Sequence, residues 1–184
     1  MRVTLVRPAM ELLPGYVAAL KRGWSPSTHE DISKQELARI ERDASGFIEL
    51  QDDPEAKGDP VRLHDGSFVP RLPGFRRWLW DGEFAGIISL RWQKGTAELP
   101  PWCLGHIGYS VVPWKRRRGY ATEALRLILL EARSLGLPYV TITTGLDNVA
   151  SQRVMTANGG VLVEKFTTPE RPGGEELLRY RVYL

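Results

Sequence analysis

One short segment restricts the possible folds of this chain more than any other: Val111-Val-Pro-Trp-Lys-Arg-Arg-Arg-Gly-Tyr-Ala121. A β-branched stretch ends at Pro113, four cations follow, and a glycine opens a run of helical periodicity. Ala121, Ala124, Leu125, Ile128, Leu129 and Ala132 fall on one face, which predicts an amphipathic helix over residues 119–135. Gly136 and Pro138 end it, as a C-cap glycine and a following proline do. Strand, turn and helix in that order call for a sheet with a helical layer against it. The first turn of a helix leaves backbone N–H groups unpaired and carries partial positive charge. A glycine there lets a ligand come close to the backbone, and the preceding cations add full charges. Together these features suit a pyrophosphate. The spacing is neither the Gly-x-x-x-x-Gly-Lys-Ser/Thr of a P-loop nor the Gly-x-Gly-x-x-Gly of a dinucleotide fold.

The remainder of the chain supplies the elements around this segment. Residues 2–7 predict a first strand, ended by Pro8. Leu13, Val17 and Leu20 predict a helix stopped by Gly23, and a second helix is expected over residues 32–50, with Gly46 a weak point. Residues 51–75 are dense in Asp-Pro, Gly-Asp-Pro, Asp-Gly and Pro-Gly steps, which predicts a long loop. It reads either as a surface excursion or as a wall over a substrate pocket. Asp81-Gly82 between two apolar runs predicts a hairpin. Strands follow at about 105–112 and 139–144. Asp147 or Asn148 caps a helix reaching Ala157, and Asn158-Gly159-Gly160 ends it. Two last strands, 161–166 and 177–184, are joined by a turn-rich Pro169–Gly174. The order β-α-α-β-β-β-α-β-α-β-β predicts a three-layer mixed α/β or α+β domain. Trp78, Trp80 and Trp92 read as core.

Composition narrows the function. In 184 residues, 42% hydrophobic and 26% charged, one globular domain over residues 1–184 is expected. Cys103 is the single cysteine, which excludes an internal disulfide and argues against a cysteine zinc site; it reads as a small buried hydrophobe. His29, His64 and His106 are too scattered for a metal cage. No run is long and apolar enough for a membrane span and no signal peptide is evident, so the expected location is cytoplasmic. The net charge of +3 is too small to imply nucleic acid by itself. A solvated face or a nucleic-acid patch competes for the basic run at 115–118, but the glycine and the helix after it weigh toward pyrophosphate.

Arg116-x-x-Gly119-x-Ala121 resembles motif A of the GNAT superfamily of N-acetyltransferases, Gln/Arg-x-x-Gly-x-Gly/Ala. Asp147-Asn148-x-x-Ser151 with Asn158-Gly159-Gly160 is similar to its motif B, especially in the branch that acetylates ribosomal-protein N-termini. The likeness covers residues 76–166. Pro-Arg-Leu-Pro-Gly, Arg-Trp-Leu-Trp and Gly-His-Ile-Gly-Tyr-Ser also resemble segments of a bacterial branch of the superfamily. The resemblance implies a GNAT-like α/β (α+β) fold, a mixed, mostly antiparallel central sheet with helices on both faces and a splayed strand pair, together with acetyl-CoA as co-substrate, no metal, and direct transfer of acetyl to an amine of a small molecule, peptide or protein. No nucleic-acid or membrane partner is implied, and a homodimer is left open. The N–H groups of Arg116, Arg117, Arg118, Gly119, Tyr120 and Ala121, with Thr122, would cradle the pyrophosphate. Val111 would bind the pantetheine arm and point an N–H at the thioester carbonyl. Asn148 and Ser151 would touch the pantetheine or adenosine side.

The pattern departs from the family at the proton carriers. Gly105 stands where many members place a Glu, and Met155 where many place a Tyr. The acceptor amine must still lose a proton. His106 titrates in a useful range, and Tyr109 shares the strand parity of Gly105 and Val111; these two are the candidate catalytic residues. His106 also reads as a strand residue held by hydrogen bonds, Tyr109 as pocket wall, and Glu98 or a water chain as other carriers. Transfer of another short acyl group, or a CoA-binding module that has lost its chemistry, are the alternatives to acetyl transfer.

Overall fold

A computed structural model of the chain describes residues 3–28, 30–63, 65–168 and 174–184. In chain order the elements are β1 (Thr4–Val6), α1 (Leu13–Lys21), α2 (Ser33–Arg42), α3 (Ala44–Glu49), β2 (Asp52–Asp53), β3 (Val61–Arg62), β4 (Phe68–Val69), β5 (Gly74–Trp80), β6 (Phe84–Arg91), β7 (Ile107–Val111), α4 (Tyr120–Ser134), β8 (Tyr139–Gly145), α5 (Val149–Ala157), β9 (Val161–Thr168) and β10 (Glu175–Tyr183). Single 3-10 turns cover Met10–Leu12 and Pro113–Lys115. His29, His64 and most of the turn expected at Pro169–Gly174 lie outside the described residues.

The β5–β6 hairpin, turned at Asp81-Gly82, is the middle of the larger sheet, ordered β1-β5-β6-β7 with β2 also on β5, all antiparallel. Nearly every residue of β6 is buried, because both faces of the sheet are covered. On one face Leu79, Ile88 and Leu90 pack with Ala124, Leu125 and Ile128 of α4. Arg77 fixes that layer: its buried guanidinium reaches Glu131 of α4 at 2.9 Å and Asp52 of β2 at 3.3 Å. On the other face Trp78 and Ile87 pack with Tyr16, Leu20 and Trp24 and with Phe47 of α3. Tyr16 stacks on Trp78 with centroids 5.1 Å apart and meets Trp24 edge-on at 5.6 Å, a geometry that adds to the apolar burial. Of the three tryptophans expected in the core, Trp78 is fully buried, whereas Trp80 and Trp92 are half-buried and pack against its margin.

A second antiparallel sheet, β8-β10-β9, stands beside the first. No ladder joins β7 to β8, so the two sheets part along these neighbouring strands. The expected helix over residues 32–50 is two helices instead. Asp43 takes an extended backbone (φ −158°, ψ 86°), and its carboxylate accepts the N–H of Gly46 at 2.9 Å, capping α3. A side chain offering the backbone this bond competes with helix continuation. The long 51–75 segment is not structureless: β2 adds to the main sheet and β3–β4 forms a small hairpin. Among the described residues no helix is long and apolar enough to cross a membrane.

Candidate active site

The two sheets meet at His106. Its backbone N–H donates to the Thr141 carbonyl at 2.7 Å, and its carbonyl accepts from the N–H of Arg91 at 2.9 Å. Its ring Nδ1 accepts the N–H of Thr141 at 2.9 Å. The imidazole thus takes the place that a strand carbonyl would fill, and the pairing of the sheets goes no further. Only 1% of His106 is exposed. Burial pushes its pKa down to about 4, against the opposing pull of the Ala97 backbone and the Glu98 carboxylate. His106 is not among the residues lining the large cavity between the sheets. Glu98, the other carrier weighed, accepts a hydrogen bond from Tyr139 and is likewise not on the lining.

From this junction residues 107–111 run along one wall of the cavity and 142–146 along the other. The volume is about 1820 Å³, beyond the ~300–1,000 Å³ usual for one small ligand, so it has room for two. In an antiparallel ladder hydrogen-bonded and non-bonded pairs alternate. Val112 donates to Ala85 at 3.0 Å and Arg91 to His106 at 2.9 Å, so within this register the N–H groups of Tyr109 and Val111 turn away from β6 toward the gap. The Val111 carbonyl does the same and accepts Arg116 Nε at 3.0 Å. Opposite Val111, Gly86 admits no side chain: a Cβ there would stand 2.3 Å from the Ser110 carbonyl oxygen.

The basic run divides. Lys115 turns inward, 6% exposed, with Nζ 2.6 Å from Asp81 Oδ1 and 3.3 Å from Glu83. Asp81 Oδ2 accepts the Tyr120 hydroxyl at 2.6 Å. The turn aspartate of the β5–β6 hairpin therefore holds both ends of the basic turn. Arg116, Arg117, Gly119, Tyr120, Ala121 and Thr122 line the cavity, whereas Arg118 does not. Arg117 and Gly119 both have left-handed backbone, φ 61° and φ 76°. Gly119 is the N-cap of α4, and a Cβ on it would meet nothing within 4 Å.

Asn148 and Ser151 lie on the cavity lining as well. Asn148, not Asp147, caps α5: its Oδ1 accepts the Ser151 N–H at 3.1 Å. Ser151 Oγ is 2.7 Å from the Tyr109 hydroxyl, bridging β7 to α5. Burial raises the Tyr109 phenol above its ordinary pKa, against the lowering effect of Ser151. Met155 is wholly buried in the core. Cys103, expected to be buried, is half-buried on the lining, its thiol turned to the Gly105 carbonyl at 3.6 Å.

Residues 50–53, 61–63 and 71–76 reach the same cavity with members of each group on its lining, so the long segment is a pocket wall. Glu36 of α2 lines it too, accepting the Tyr16 hydroxyl at 2.7 Å and lying 3.9 Å from Arg76. No motif or periodicity in the order of residues marks Glu36 or Arg91 as cavity residues. Asp81 was visible as a turn residue, but nothing in the order of residues tied it to Lys115.

Two sheets that part along neighbouring strands, with a glycine-capped helix opening on the gap, form a long cleft with an anion-binding end. Residues 36–161 match the family model described as acetyltransferase (GNAT) domain. The chain belongs to the GNAT acetyltransferase family. Its fold is similar to that of the microcin C7 self-immunity acetyltransferase MccE, solved with acetyl-CoA and AMP, at TM-score 0.61 and 15% identity over 99% of this chain and 92% of that one. RimL, a ribosomal-protein α-N-acetyltransferase solved with coenzyme A, gives TM-score 0.64 at 16% identity over 99% and 94%. Mycobacterium smegmatis RimJ, solved with a CoA disulfide, gives 0.67 at 16% over 98% and 81%. At these identities the likeness is one of fold. No curated protein sequence matches the chain.

Proposed function

We propose that this enzyme passes the acetyl group of acetyl-CoA directly to an amine, with the thioester between β7 and β8 and the pyrophosphate at the N-terminus of α4. The observation that carries this reading is the gap between the sheets, into which the Val111 N–H points and onto which the Gly119 cap opens. Acetyl-CoA supplies the activated acyl group when bound. The N–H groups of Arg117, Gly119, Tyr120 and Ala121, with Thr122, receive the phosphates; the Arg116 N–H is taken by the Pro113 carbonyl at 3.3 Å, and the Arg116 and Arg117 side chains add charge beside them. The Val111 N–H is a fixed donor for the oxyanion that forms when the amine adds to the carbonyl. Asn148, by capping α5, and Ser151, through Tyr109, hold the pantetheine side.

The C–S bond breaks as Tyr109 gives its proton to the departing thiolate, and the proton lost by the attacking nitrogen returns through water to the Tyr109 phenolate. Its phenol stays protonated because burial raises its pKa, and its bond to Ser151 fixes its direction. His106 acts as a positioning residue rather than a base. With Nδ1 engaged and a pKa of about 4 it is neutral near pH 7; its role is to set where the strands part. Holding amine and thioester together then supplies much of the rate.

Acetyl-CoA is expected to raise the melting temperature. A ligand at a hundredfold its Kd adds about 2.7 kcal/mol, which is roughly 5–10 °C for a chain of this size. No shift at millimolar acetyl-CoA removes the reading. Release of CoA across an amine panel separates an enzyme from a CoA-binding protein without turnover.

Tyr109→Phe is expected to lower turnover by about tenfold to a hundredfold, no more than the low end of the ~10²–10⁴-fold that a single essential acid or base contributes, with acetyl-CoA affinity nearly unchanged, since the phenol is not part of the phosphate cradle. Single-turnover rates and CoA titration measure the two separately. A wild-type rate in the variant assigns the proton to another group.

A further inference from the structure

One part of the cavity lining comes from α2, β5 and β6, and its charge is unbalanced. Among the described residues of these elements, Arg39, Arg76 and Arg91 line the cavity against a single carboxylate, Glu36. Glu36 is already matched, by the Tyr16 hydroxyl at 2.7 Å and Arg76 at 3.9 Å. The neighbouring Asp53 is matched as well: it accepts the N–H groups of Lys57 and Gly58 at 2.8 and 3.0 Å and lies 4.0 Å from Arg71. Arg39 sits over the Phe47 ring, 6.0 Å from its centroid. Among the described residues the Arg91 guanidinium has neither a hydrogen bond nor an ion pair, although the residue is half-buried. It folds back over β7, with Nη2 3.4 Å from where a Cβ of Gly108 would stand. Gly108 thus leaves room for it two residues before Ser110 and three before Val111.

A half-buried guanidinium without a partner carries a desolvation cost that an anion offsets, because its planar fork matches carboxylate and phosphate oxygens. We propose that the acceptor is an amine that also bears a carboxylate or a phosphate monoester, and that Arg91 binds this anionic group. The inference rests on the acetyl-transfer reading above and adds the acceptor's class to it. It also bears on the absent base. Cations near an ammonium disfavour its charged form and lower its pKa. Arg39 and Arg76, on the same lining, therefore favour loss of the proton from the amine, and that proton passes to solvent water, so a positive wall lessens the need for a dedicated base.

Matched amines test this on the intact protein: amino acids and dipeptides against their C-terminal amides, and phosphoethanolamine against ethanolamine. The two sets separate carboxylate from phosphate. CoA release at saturating acetyl-CoA should show kcat/KM at least about tenfold higher for the anionic member of one set, and Arg91→Met should erase that preference while keeping wild-type affinity for acetyl-CoA. Calorimetric titration of the same pairs into the CoA-loaded protein decides the matter without turnover. Tighter binding of the anionic member by about tenfold, lost in Arg91→Met, supports the assignment. Equal or undetectable binding of both members, or a preference that survives in Arg91→Met, overturns it. Acetyl-CoA affinity is measured first on the wild type. A protein that binds acetyl-CoA but shows no charge preference refutes only the acceptor class, whereas one that does not bind it refutes the transferase reading itself.

Discussion

Gly119→Val is expected to weaken acetyl-CoA binding by about a hundredfold or more, equivalent to roughly 2.7 kcal/mol. Two effects combine. At φ 76° and ψ 4° the residue is left-handed, a conformation that costs an L-residue about 1–2 kcal/mol and a β-branched one more. A Cβ there meets no atom within 4 Å, so the fold accommodates the side chain and the valine occupies the space in front of the first-turn N–H groups. Calorimetry with acetyl-CoA and a melting curve read the two effects apart. Gly119→Asn, whose side chain tolerates left-handed backbone, should show the affinity loss with less loss of stability. Wild-type affinity in both variants would place the phosphates elsewhere.

Asp81→Ala is expected to destabilise the protein by about 3–5 kcal/mol, the range for leaving one member of a buried ion pair alone, and to lower the melting temperature by roughly 10 °C or more. The side chains of Lys115 and Asp81 are only 8% and 9% exposed. Removing the carboxylate leaves Lys115 with Glu83 at 3.3 Å, and that side chain is 83% exposed, so solvent screens what remains. The Tyr120 hydroxyl loses its acceptor as well. The double variant Asp81→Ala with Lys115→Met should recover much of the loss, because no buried charge is then left unpaired. A single variant as stable as wild type would show that Lys115 finds another partner. The pair also sets a pH dependence. Burial by itself would raise the Asp81 pKa, but the bonds from Lys115 and Tyr120 outweigh it and hold the carboxyl below its ordinary value. A carboxyl lowered in the folded state stabilises fully above its unfolded pKa, near 3.9, and this contribution is lost as pH falls below that value. Acid unfolding of Asp81→Ala should therefore begin from a lower plateau and show a shallower dependence in that window.

Local backbone chemistry was legible in the order of residues. Gly136 does take the left-handed conformation after α4, Asp81-Gly82 does turn a hairpin, and Asn148 does cap α5. The amphipathic face of α4 is the one that packs on the sheet. These features depend on the φ/ψ freedom of one residue, on a side chain reaching its own backbone, or on a period of 3.6 residues, all within a few positions of one another. The cavity-lining positions of Val111, Arg116, Arg117, Gly119 and Thr122 follow from the same strand–turn–helix unit.

What the chain does with its charged and titratable side chains was settled only by tertiary packing. Lys115 belongs to a run of four cations, yet it is buried against a residue 34 positions earlier. His106 sits beside the place of a missing base, yet its ring is taken by a backbone N–H 35 positions later. Asp43 divides an otherwise helical stretch, and Arg91 gained a position over Gly108 that its own strand does not reveal. Such roles depend on which distant groups the folded backbone brings within about 3 Å and on how much water is excluded around them. Neither quantity is a property of neighbouring residues, so the order of residues specified the strand–turn–helix frame while the packing of the two sheets decided which charges line the cavity.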